Sequence, residues 1–268
     1  MGDGLRLALT VLTVIPVRGA ARLDRSAAGR AMTLAPLVGL GVGLVAAAVL
    51  FAFRLLDGNQ GPPLLACVLA VATLAAVTRG LHLDGLSDLA DGLGSYQDPE
   101  GARAVMKRPD VGALGLVTVV LVLAVQVAAV LGCVVHGRGT AGLVLSVVTG
   151  RVAVVAGCRN TPAAGAEGLG VLVAATVRRG VPAAWALAVA GLGAAYELVD
   201  RDAGSSAVVD ALQPVLAVAL SLLAARALRS HAVRRVGGLT GDVLGAVLEV
   251  ATTVSLVVMG LQVPTALR

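Results

Sequence analysis

Residues 111–135, VGALGLVTVVLVLAVQVAAVLGCVV, form a long run of the chain that contains no charged residue. A helix rises about 1.5 Å per residue, so about 20 apolar residues cross a hydrocarbon core of about 30 Å. This run is long enough to span a membrane, and it predicts that the chain lies in a lipid bilayer.

The composition of the whole chain agrees with a lipid environment. Hydrophobic residues make up 57% and charged residues 14%, with a mean hydropathy of +0.92. A soluble domain usually carries about a quarter charged residues. Further apolar runs, with at most one charge each, are 31–53, 62–78, 139–157, 181–196, 205–225 and 243–263. We therefore predict an all-α, polytopic transmembrane helical bundle of about seven spans, with five to eight as the range, in a single domain over residues 1–268.

The basic residues of the chain predict its orientation in the membrane. If the N-terminal region is cytoplasmic, the spans place loops 79–110, 158–180 and 226–242 on that side. The cytoplasmic set is then Arg6, Arg18, Arg22, Arg25, Arg30, Arg79, Arg103, Lys107, Arg108, Arg159, Arg178, Arg179, Arg226, Arg229, Arg234 and Arg235, and the outer set is Arg138, Arg201 and Arg268. Cytoplasmic loops carry an excess of Lys and Arg, so this orientation is favoured over its inverse.

The pI near 9.8 does not indicate nucleic-acid binding. The basic residues fall in the predicted loops, and only 2% of the chain is aromatic, so no set of stacking side chains accompanies them. Membrane orientation accounts for the basic residues, and we predict an integral protein of the cytoplasmic (plasma) membrane that binds no nucleic acid. The sequence leaves the oligomeric state open, including a homo-oligomer.

The acids of the chain cluster in segment 81–94, LHLDGLSDLADGLG. At about 100° per residue, Asp84, Asp88 and Asp91 share a helical arc of about 60°. Like charges on one face repel each other, and a divalent cation reverses that effect. Oxygen ligands suit Mg²⁺, so these three carboxylates are candidate metal ligands and catalytic residues; a solvated acidic face is the simpler alternative. His82 lies about 160° from this arc and is a weaker catalytic candidate.

A second acidic segment, GGLTGD at 237–242, precedes the last predicted span. The predicted topology places it on the same side of the membrane as loop 79–110, so Asp242 is a fourth candidate metal ligand and Thr240 a candidate for substrate binding. The paired glycines would let the backbone approach a ligand closely. Arg151 and Glu249 lie within predicted spans, where an ionised group is costly, so each is a candidate either for function or for pairing inside the bundle.

Cations surround the acidic segment and indicate an anionic substrate, such as a diphosphate. Lys107 is a candidate catalytic residue. The candidate substrate-binding residues are Arg79, Arg103, Arg108, Arg151, Arg159, Glu167 and Thr240. Metal-binding carboxylates beside cations provide the positioning and charge neutralisation that phosphoryl transfer chiefly requires.

Several segments, taken together and in this order, resemble the cobalamin synthase family, the adenosylcobinamide-GDP ribazoletransferases. They are LTVIPV at 12–17, PLVGLGVG at 36–43, RGLHLDGLSDLADGLG at 79–94, VMKRPDVGALG at 105–115, AEGLG at 166–170 and GGLTGDVLGA at 237–246. The HxDGxxDxxDG core is the most specific of them. The chain departs from the family at Val14 and Ile15, where an Arg is common, and at 108–110, which weakens any role for Arg108 or Asp110.

The resemblance implies an enzyme that catalyses the last step of lower-ligand assembly in cobalamin biosynthesis, a phosphotransferase for substituted phosphate groups. Adenosylcobinamide-GDP would react with α-ribazole, or its 5′-phosphate, and release GMP. The acidic residues would hold Mg²⁺ on the diphosphate, one carboxylate would accept the proton of the attacking hydroxyl, and Lys107 with nearby arginines would stabilise the phosphate oxygens.

Two other functions fit parts of the pattern. A CDP-alcohol phosphotransferase also uses an Asp-Gly-led acidic helix at a membrane surface, but its later acids are spaced farther downstream than they are here. A cation-coupled transporter would use Asp84, Asp88, Asp91 and Glu249 as ion ligands. That function predicts acids near the bilayer midplane and two related halves, whereas this sequence places its acids at one face and shows no such symmetry.

Overall fold

The computed structural model describes residues 3–15, 17, 24–58, 60–199 and 207–262. In this part of the chain the regular elements are helices: α1 Asp3–Leu12, α2 Arg25–Thr33, α3 Ala35–Leu56, α4 Leu64–Val77, α5 Leu81–Gly94, α6 Pro99–Met106, α7 Ala113–Val135, α8 Gly139–Gly157, α9 Leu169–Val173, α10 Val181–Val199, α11 Ala207–Val236 and α12 Gly241–Gly260. Pro16 of the 12–17 motif and Arg18, Arg22, Arg201 and Arg268 of the orientation argument lie outside the described residues.

Six of the described helices are long and apolar enough to cross a membrane: α3, α7, α8, α10, α11 and α12. The helices α4 and α5 pass the same test only as a pair, and they meet at an angle of 86°. The pair brings the number of spans to seven if it is counted as one. The prediction of an all-α polytopic membrane bundle is therefore confirmed. Helix α5 is not itself one of the six spanning helices, and it is turned away from the direction of α4.

One predicted boundary was wrong. Helix α11 continues from the predicted span at 205–225 to Val236, so most of the predicted loop 226–242 is helical. The predicted loop 79–110 contains the two helices α5 and α6, and α5 is the helix that the spacing of its acids predicts. A change from apolar to charged residues does not end α11, because the hydrogen-bonded backbone continues where the side chains become polar.

Helices α8 and α12 form the centre of the bundle. Helix α12 packs against α5, α7, α8 and α11, and α3 packs along α8. Small residues permit these close approaches: a Cβ atom on Gly39 would lie 2.9 Å from Cδ of Arg151, and one on Gly43 would lie 3.2 Å from Cα of Val144. The GxxxG pair Gly39–Gly43 is therefore a helix-packing surface, as its spacing predicts.

The break between α4 and α5 positions the acidic helix. Arg79 and Gly80 both have left-handed backbone conformations, with φ of 55° and 65°. This conformation suits Gly80, which has no Cβ, and is less favourable for Arg79. Gly80 is the N-cap of α5, so Asp84 lies within the first turn and does not cap the helix. The turn directs α5 across the beginning of α12.

A buried charged cluster ties α8, α10, α11 and α12 together at the end of the bundle opposite to Asp242. The Arg138 guanidinium contacts Glu197 at 2.9 Å and Asp210 at 3.3 Å, and it donates a hydrogen bond to Gln213. The Gln213 amide in turn donates to the carbonyls of Val258 and Leu261 at the C-terminal end of α12. These polar contacts satisfy carbonyls that a helix end leaves without intrahelical partners.

We expect Arg138→Gln to destabilise the fold by about 3–5 kcal/mol, because it removes the Arg138 cation from contact with two buried carboxylates, Glu197 and Asp210. The measurement is unfolding of the purified protein in mixed detergent micelles. The matched control is Arg30→Gln, which removes an exposed cation and its hydrogen bond to the Ser26 hydroxyl at 2.7 Å, and should cost about 1 kcal/mol or less. Equal losses in the two variants would contradict a stabilising role for the buried cluster.

Candidate active site

A cavity of about 570 Å³ lies between the start of α5, the end of α6, the loop before α9 and the start of α12. Seven of the predicted site residues line it: His82, Asp84, Arg103, Lys107, Glu167, Thr240 and Asp242. Two of these are carboxylates from distant parts of the sequence, Asp84 and Asp242. Their convergence at one cavity agrees with the prediction that the two acidic segments lie on the same side of the membrane.

Helices α5 and α12 meet at glycines, which sets the position of the two carboxylates. A Cβ atom on Gly85 would lie 2.8 Å from Cα of Asp242, and one on Gly245 would lie 3.1 Å from the carbonyl oxygen of His82. Real Cβ atoms do not approach backbone atoms as closely as the first of these distances. The absence of a side chain at Gly85 therefore permits Asp242 to lie directly beside α5.

The segment before α12 is fixed by its own cap and by the loop at 162–164. The Thr240 hydroxyl accepts a hydrogen bond from the backbone N–H of Val243, 3.1 Å away, and caps α12. The N–H of Leu239 donates to the carbonyl of Pro162 at 2.8 Å, and the N–H of Ala164 donates to the carbonyl of Leu239 at 3.1 Å. This pairing brings the loop that carries Glu167 to the wall of the cavity.

Of the paired glycines, Gly238 packs against the loop at 162–164 and Gly237 lies against Arg103. Their φ values are 84° and 152°, which an L side chain rarely adopts. A Cβ atom on Gly238 would lie 2.5 Å from the backbone nitrogen of Ala164. The sequence correctly indicated a close backbone approach at this pair, but the partner is the loop of the same chain.

The four carboxylates form one electrostatic group. Burial, together with the negative charges of Asp84, Asp242 and Asp91, raises the pKa of the Asp88 carboxyl to about 6. A carboxyl group among like charges resists ionisation, and a nearby cation has the opposite effect. This coupling agrees with the prediction that α5 concentrates negative charge on one face, although Asp88 and Asp91 are not among the residues that line the cavity.

Asp91 has a structural role that the sequence analysis missed. Its two carboxylate oxygens accept hydrogen bonds from the backbone N–H groups of Gly112 at 2.8 Å and Gly115 at 2.9 Å. These groups belong to the first turn of α7, whose N–H groups otherwise lack partners, so Asp91 caps that helix from a distant part of the chain. The glycines of VGALG were the available signal, because side chains there would collide with Asp91.

His82 lies at the boundary between this cavity and a small polar pocket inside the bundle. It is 5% exposed, its Nε2 has no hydrogen-bond partner in the described part of the chain, and it lines both spaces. Burial, and after it the positive charge of Arg151, lowers the pKa of His82 to about 3. The imidazole is therefore neutral at pH 7 and can accept a proton or a hydrogen bond.

Arg151 and Glu249 lie in the small pocket and not in the cavity that contains Asp84. The Gln126 amide donates a hydrogen bond of 2.8 Å to the Glu249 carboxylate, and Nη1 of Arg151 donates one of 3.2 Å to the carbonyl of Val147. Glu249 is therefore paired inside the bundle, which was the alternative to a functional role. Arg151 shares the small pocket with His82 and does not line the main cavity, so it would not contact a substrate bound there directly.

Three other predicted substrate-binding arginines do not line the cavity. Arg79 is exposed at the turn before α5, and Arg108 is exposed after α6. Arg159 lines a different cavity, with Arg226 and Arg229. The positions of these cations in the sequence predicted the end of the bundle at which they lie. The directions of their side chains decide which of them reach the cavity, and only Arg103 and Lys107 among these five cations do so.

Apolar residues of the first two helices complete the cavity wall. Leu12 of α1 and Met32 of α2 line it opposite Leu244 of α12. The sequence analysis assigned no site role to these residues. Their contribution gives the cavity an apolar side beside its charged side, which suits a substrate that has both kinds of surface.

The described residues fit a metal site in which the protein supplies some of the ligands and a substrate phosphate supplies the others. No group of three His, Cys, Asp or Glu side chains in the described ranges is arranged to hold an ion. Mg²⁺ characteristically uses one or two carboxylates together with substrate phosphates and water. Asp84 and Asp242 at the cavity wall, with Lys107 and Arg103 near them, agree with that pattern.

The fold and this cavity define a polytopic α-helical membrane protein whose acidic and basic side chains converge at one end of the bundle. The chain belongs to the cobalamin-5-phosphate synthase family, whose model matches residues 4–260. This match confirms the family resemblance that the sequence motifs indicated.

Individual relatives match the chain over nearly its full length, and each of the following is named adenosylcobinamide-GDP ribazoletransferase. The protein from Frankia casuarinae is 42% identical over 266 residues, covering 97% of this chain and 95% of the relative. Those from a Nocardioides species and from Pseudomonas aeruginosa are 39% and 37% identical, each covering 96% of this chain and 97% of the relative. No solved structure matches the chain.

Proposed function

We propose that this protein is an adenosylcobinamide-GDP ribazoletransferase that joins adenosylcobinamide-GDP to α-ribazole, or to its 5′-phosphate, and releases GMP. Membership of the family supports the overall reaction. The observation that carries the assignment to this cavity is that Asp84 and Asp242, from separate helices, line it together with Lys107. The carboxylates and the cation of this cavity come from one chain.

Asp84 and Asp242, at the cavity wall, are the residues that we propose would hold Mg²⁺ together with the substrate phosphates. Asp88 and Asp91 contribute negative charge beside them, and Asp91 also caps α7. When bound, the ion supplies charge neutralisation at the diphosphate of the substrate. The negative charges of Asp84, Asp242 and Asp91 raise the pKa of Asp88, which supports a cation site here. Carboxylates this close together repel each other, and a bound cation offsets that repulsion.

The reaction then forms one oxygen–phosphorus bond and breaks another. A ribose hydroxyl that is free in both α-ribazole and its 5′-phosphate attacks the phosphorus proximal to cobinamide, its proton passes to a carboxylate of the site or to neutral His82, and the bond from that phosphorus to the GMP oxygen breaks. Lys107 and Arg103 neutralise the nonbridging oxygens and the departing phosphate. Glu167 and Thr240 lie at the wall where the rest of the substrate would be oriented.

We also propose that the site faces the cytoplasm from the plasma membrane. Basic residues cluster at this end of the bundle, and cytoplasmic loops carry an excess of Lys and Arg. They include Arg103, Lys107, Arg226, Arg229 and Arg234, which lie in or directly after helices that begin or end here. A nucleotide-linked substrate is also charged and is most simply supplied from an aqueous compartment that contains nucleotides.

The test is to incubate the purified protein in detergent with Mg²⁺, adenosylcobinamide-GDP and α-ribazole, and to measure GMP. We expect GMP release that depends on both substrates and on the cation. Turnover of a CDP-alcohol donor without GMP release would favour the alternative phosphotransferase. Cation flux through proteoliposomes without either chemical reaction would favour a transporter.

Lys107→Gln is expected to lower kcat/KM for GMP release about 100-fold, because it removes a cation from the wall of the cavity. Lys107→Arg should retain more activity than Lys107→Gln, since it preserves the charge while changing its geometry. The control is Arg178→Gln, which removes an exposed cation that does not line the cavity. Equal activity of Lys107→Gln and the control would show that Lys107 does not act on the phosphates.

A further inference from the structure

A second cavity, of about 580 Å³, lies between α8, α11 and the start of α10. Three arginines line it, Arg159, Arg226 and Arg229, and no carboxylate is among the described residues of its wall. The reaction steps proposed above give no role to these three residues. The cavity lies at the same end of the bundle as Asp242, since α8 ends there and α12 begins there.

The positive charges of this cavity are not compensated within the described part of the protein. Among the described residues, the arginines that form ion pairs are Arg54 and Arg138, and neither lines this cavity. The Arg159 Nε is buried without a hydrogen-bond partner in the same part of the chain, and Arg229 is within electrostatic reach of Arg226 and Arg159. Three cations held close together favour binding of an anion between them.

Apart from Asn160 and Thr161, the rest of the cavity lining is apolar, and it continues along α11. Leu222 and Leu223 line it, and Leu223 is 61% exposed. Leu222, Arg226 and Arg229 follow one another at intervals of four and three residues, so they lie on one face of the helix. A ligand in this cavity therefore meets apolar side chains from the spanning part of α11 and, about one turn farther on, a group of arginines.

We propose that this cavity binds an anionic phospholipid, with the phosphate headgroup between Arg159, Arg226 and Arg229 and an acyl chain along Leu222 and Leu223. A basic pocket between helices at the end of a membrane span is the arrangement that recognises anionic headgroups. Leu223, the exposed leucine next to the arginines, favours a lipid over a free phosphate. An acyl chain gains free energy by contact with an apolar wall, whereas a soluble anion does not.

The test is the retention of lipid by the full-length protein after purification in mild detergent. The protein is equilibrated with equal amounts of phosphatidylglycerol and phosphatidylcholine, and the lipid that remains bound is measured by native mass spectrometry. The variants are Arg226→Gln alone and Arg226→Gln with Arg229→Gln. The single variant keeps the hydrogen bond from Arg229 to the Ala156 carbonyl at 2.8 Å, so it tests the proposal even if the double variant is unstable.

The matched control is Arg234→Gln with Arg235→Gln, which removes the same charge from the same helix outside the cavity. We expect the original protein and the control to retain phosphatidylglycerol in preference to phosphatidylcholine. The double cavity variant should bind phosphatidylglycerol roughly thirtyfold more weakly, from two lost cations near a headgroup.

Three results would overturn the proposal. One is equal retention of the two lipids by the original protein, which would make the cavity an unselective apolar groove. Another is equal loss in the cavity variants and the control, which would make the effect one of net charge. The third is displacement of phosphatidylglycerol by millimolar inorganic phosphate or GMP, which would identify a site for a soluble phosphate. Lipid retention is measured without turnover, so these outcomes do not depend on the proposed reaction.

Discussion

Asp84→Asn and Asp242→Asn are each expected to lower the rate of GMP release by about 100-fold to 1000-fold at a fixed Mg²⁺ concentration. Each substitution preserves the size of the side chain and removes one negative charge from the cavity wall. Asp84 is exposed and Asp242 is half-buried at the helix start, so neither change disturbs the packed core. The loss should therefore appear as slower turnover and a higher Mg²⁺ requirement, with unfolding behaviour close to that of the original protein.

Glu100→Gln is the control for these two variants. Glu100 is an exposed acid in the first turn of α6, and it does not line the cavity. Its substitution removes the same charge from the same region of the sequence and should leave activity within about twofold, as expected for a surface change that lies away from the chemistry. Similar activity losses in all three variants would indicate a general effect of net charge. Full activity of Asp84→Asn or Asp242→Asn would remove that residue from the mechanism.

Gly85→Ala is expected to lower activity by about 100-fold through geometry alone, without changing any charge. The added Cβ would lie 2.8 Å from Cα and 3.0 Å from the carbonyl oxygen of Asp242, so α5 and α12 must separate. Overpacking of this kind costs about 1–3 kcal/mol of stability, and a displacement of about 1 Å in a site can cost 100-fold in rate. Activity assays and unfolding in mixed micelles, performed side by side, measure the two effects.

Gly41→Ala is the matched control, because a Cβ on Gly41 in α3 meets no atom within 4 Å. Alanine is the better helix former by about 1 kcal/mol, so this variant should be as stable as the original protein or more stable, and equally active. If Gly85→Ala were also fully active, the close contact between α5 and α12 would not be what places the carboxylates.

Much of the fold could be predicted because the membrane imposes simple rules. Uncharged runs such as 111–135 correspond to α7 within a few residues at each end. The spacing of Asp84, Asp88 and Asp91 correctly predicted a helix, and the number of spans between the two segments correctly predicted that Asp242 lies at the same end of the bundle. These predictions depend only on local periodicity and on the number of spans between two segments.

The features that could not be predicted are the directions of individual side chains and helices. Local periodicity and polarity do not determine these directions. Arg79 adopts a left-handed conformation that its residue type does not indicate, and the 86° turn follows from it. The hydrogen bonds from the start of α7 to Asp91 join groups that are more than 20 residues apart. Arg159 points to the second cavity because α8 ends beside α11, a contact that no sequence spacing encodes.

The most direct test of the proposed site is the affinity for Mn²⁺, measured by electron paramagnetic resonance in the presence of adenosylcobinamide-GDP. If carboxylates from α5 and α12 hold the same ion, Asp84→Asn and Asp242→Asn should each weaken Mn²⁺ binding by roughly tenfold or more, and Glu100→Gln should not. Mn²⁺ binding of original strength in both Asp84→Asn and Asp242→Asn would contradict a shared metal site at this cavity.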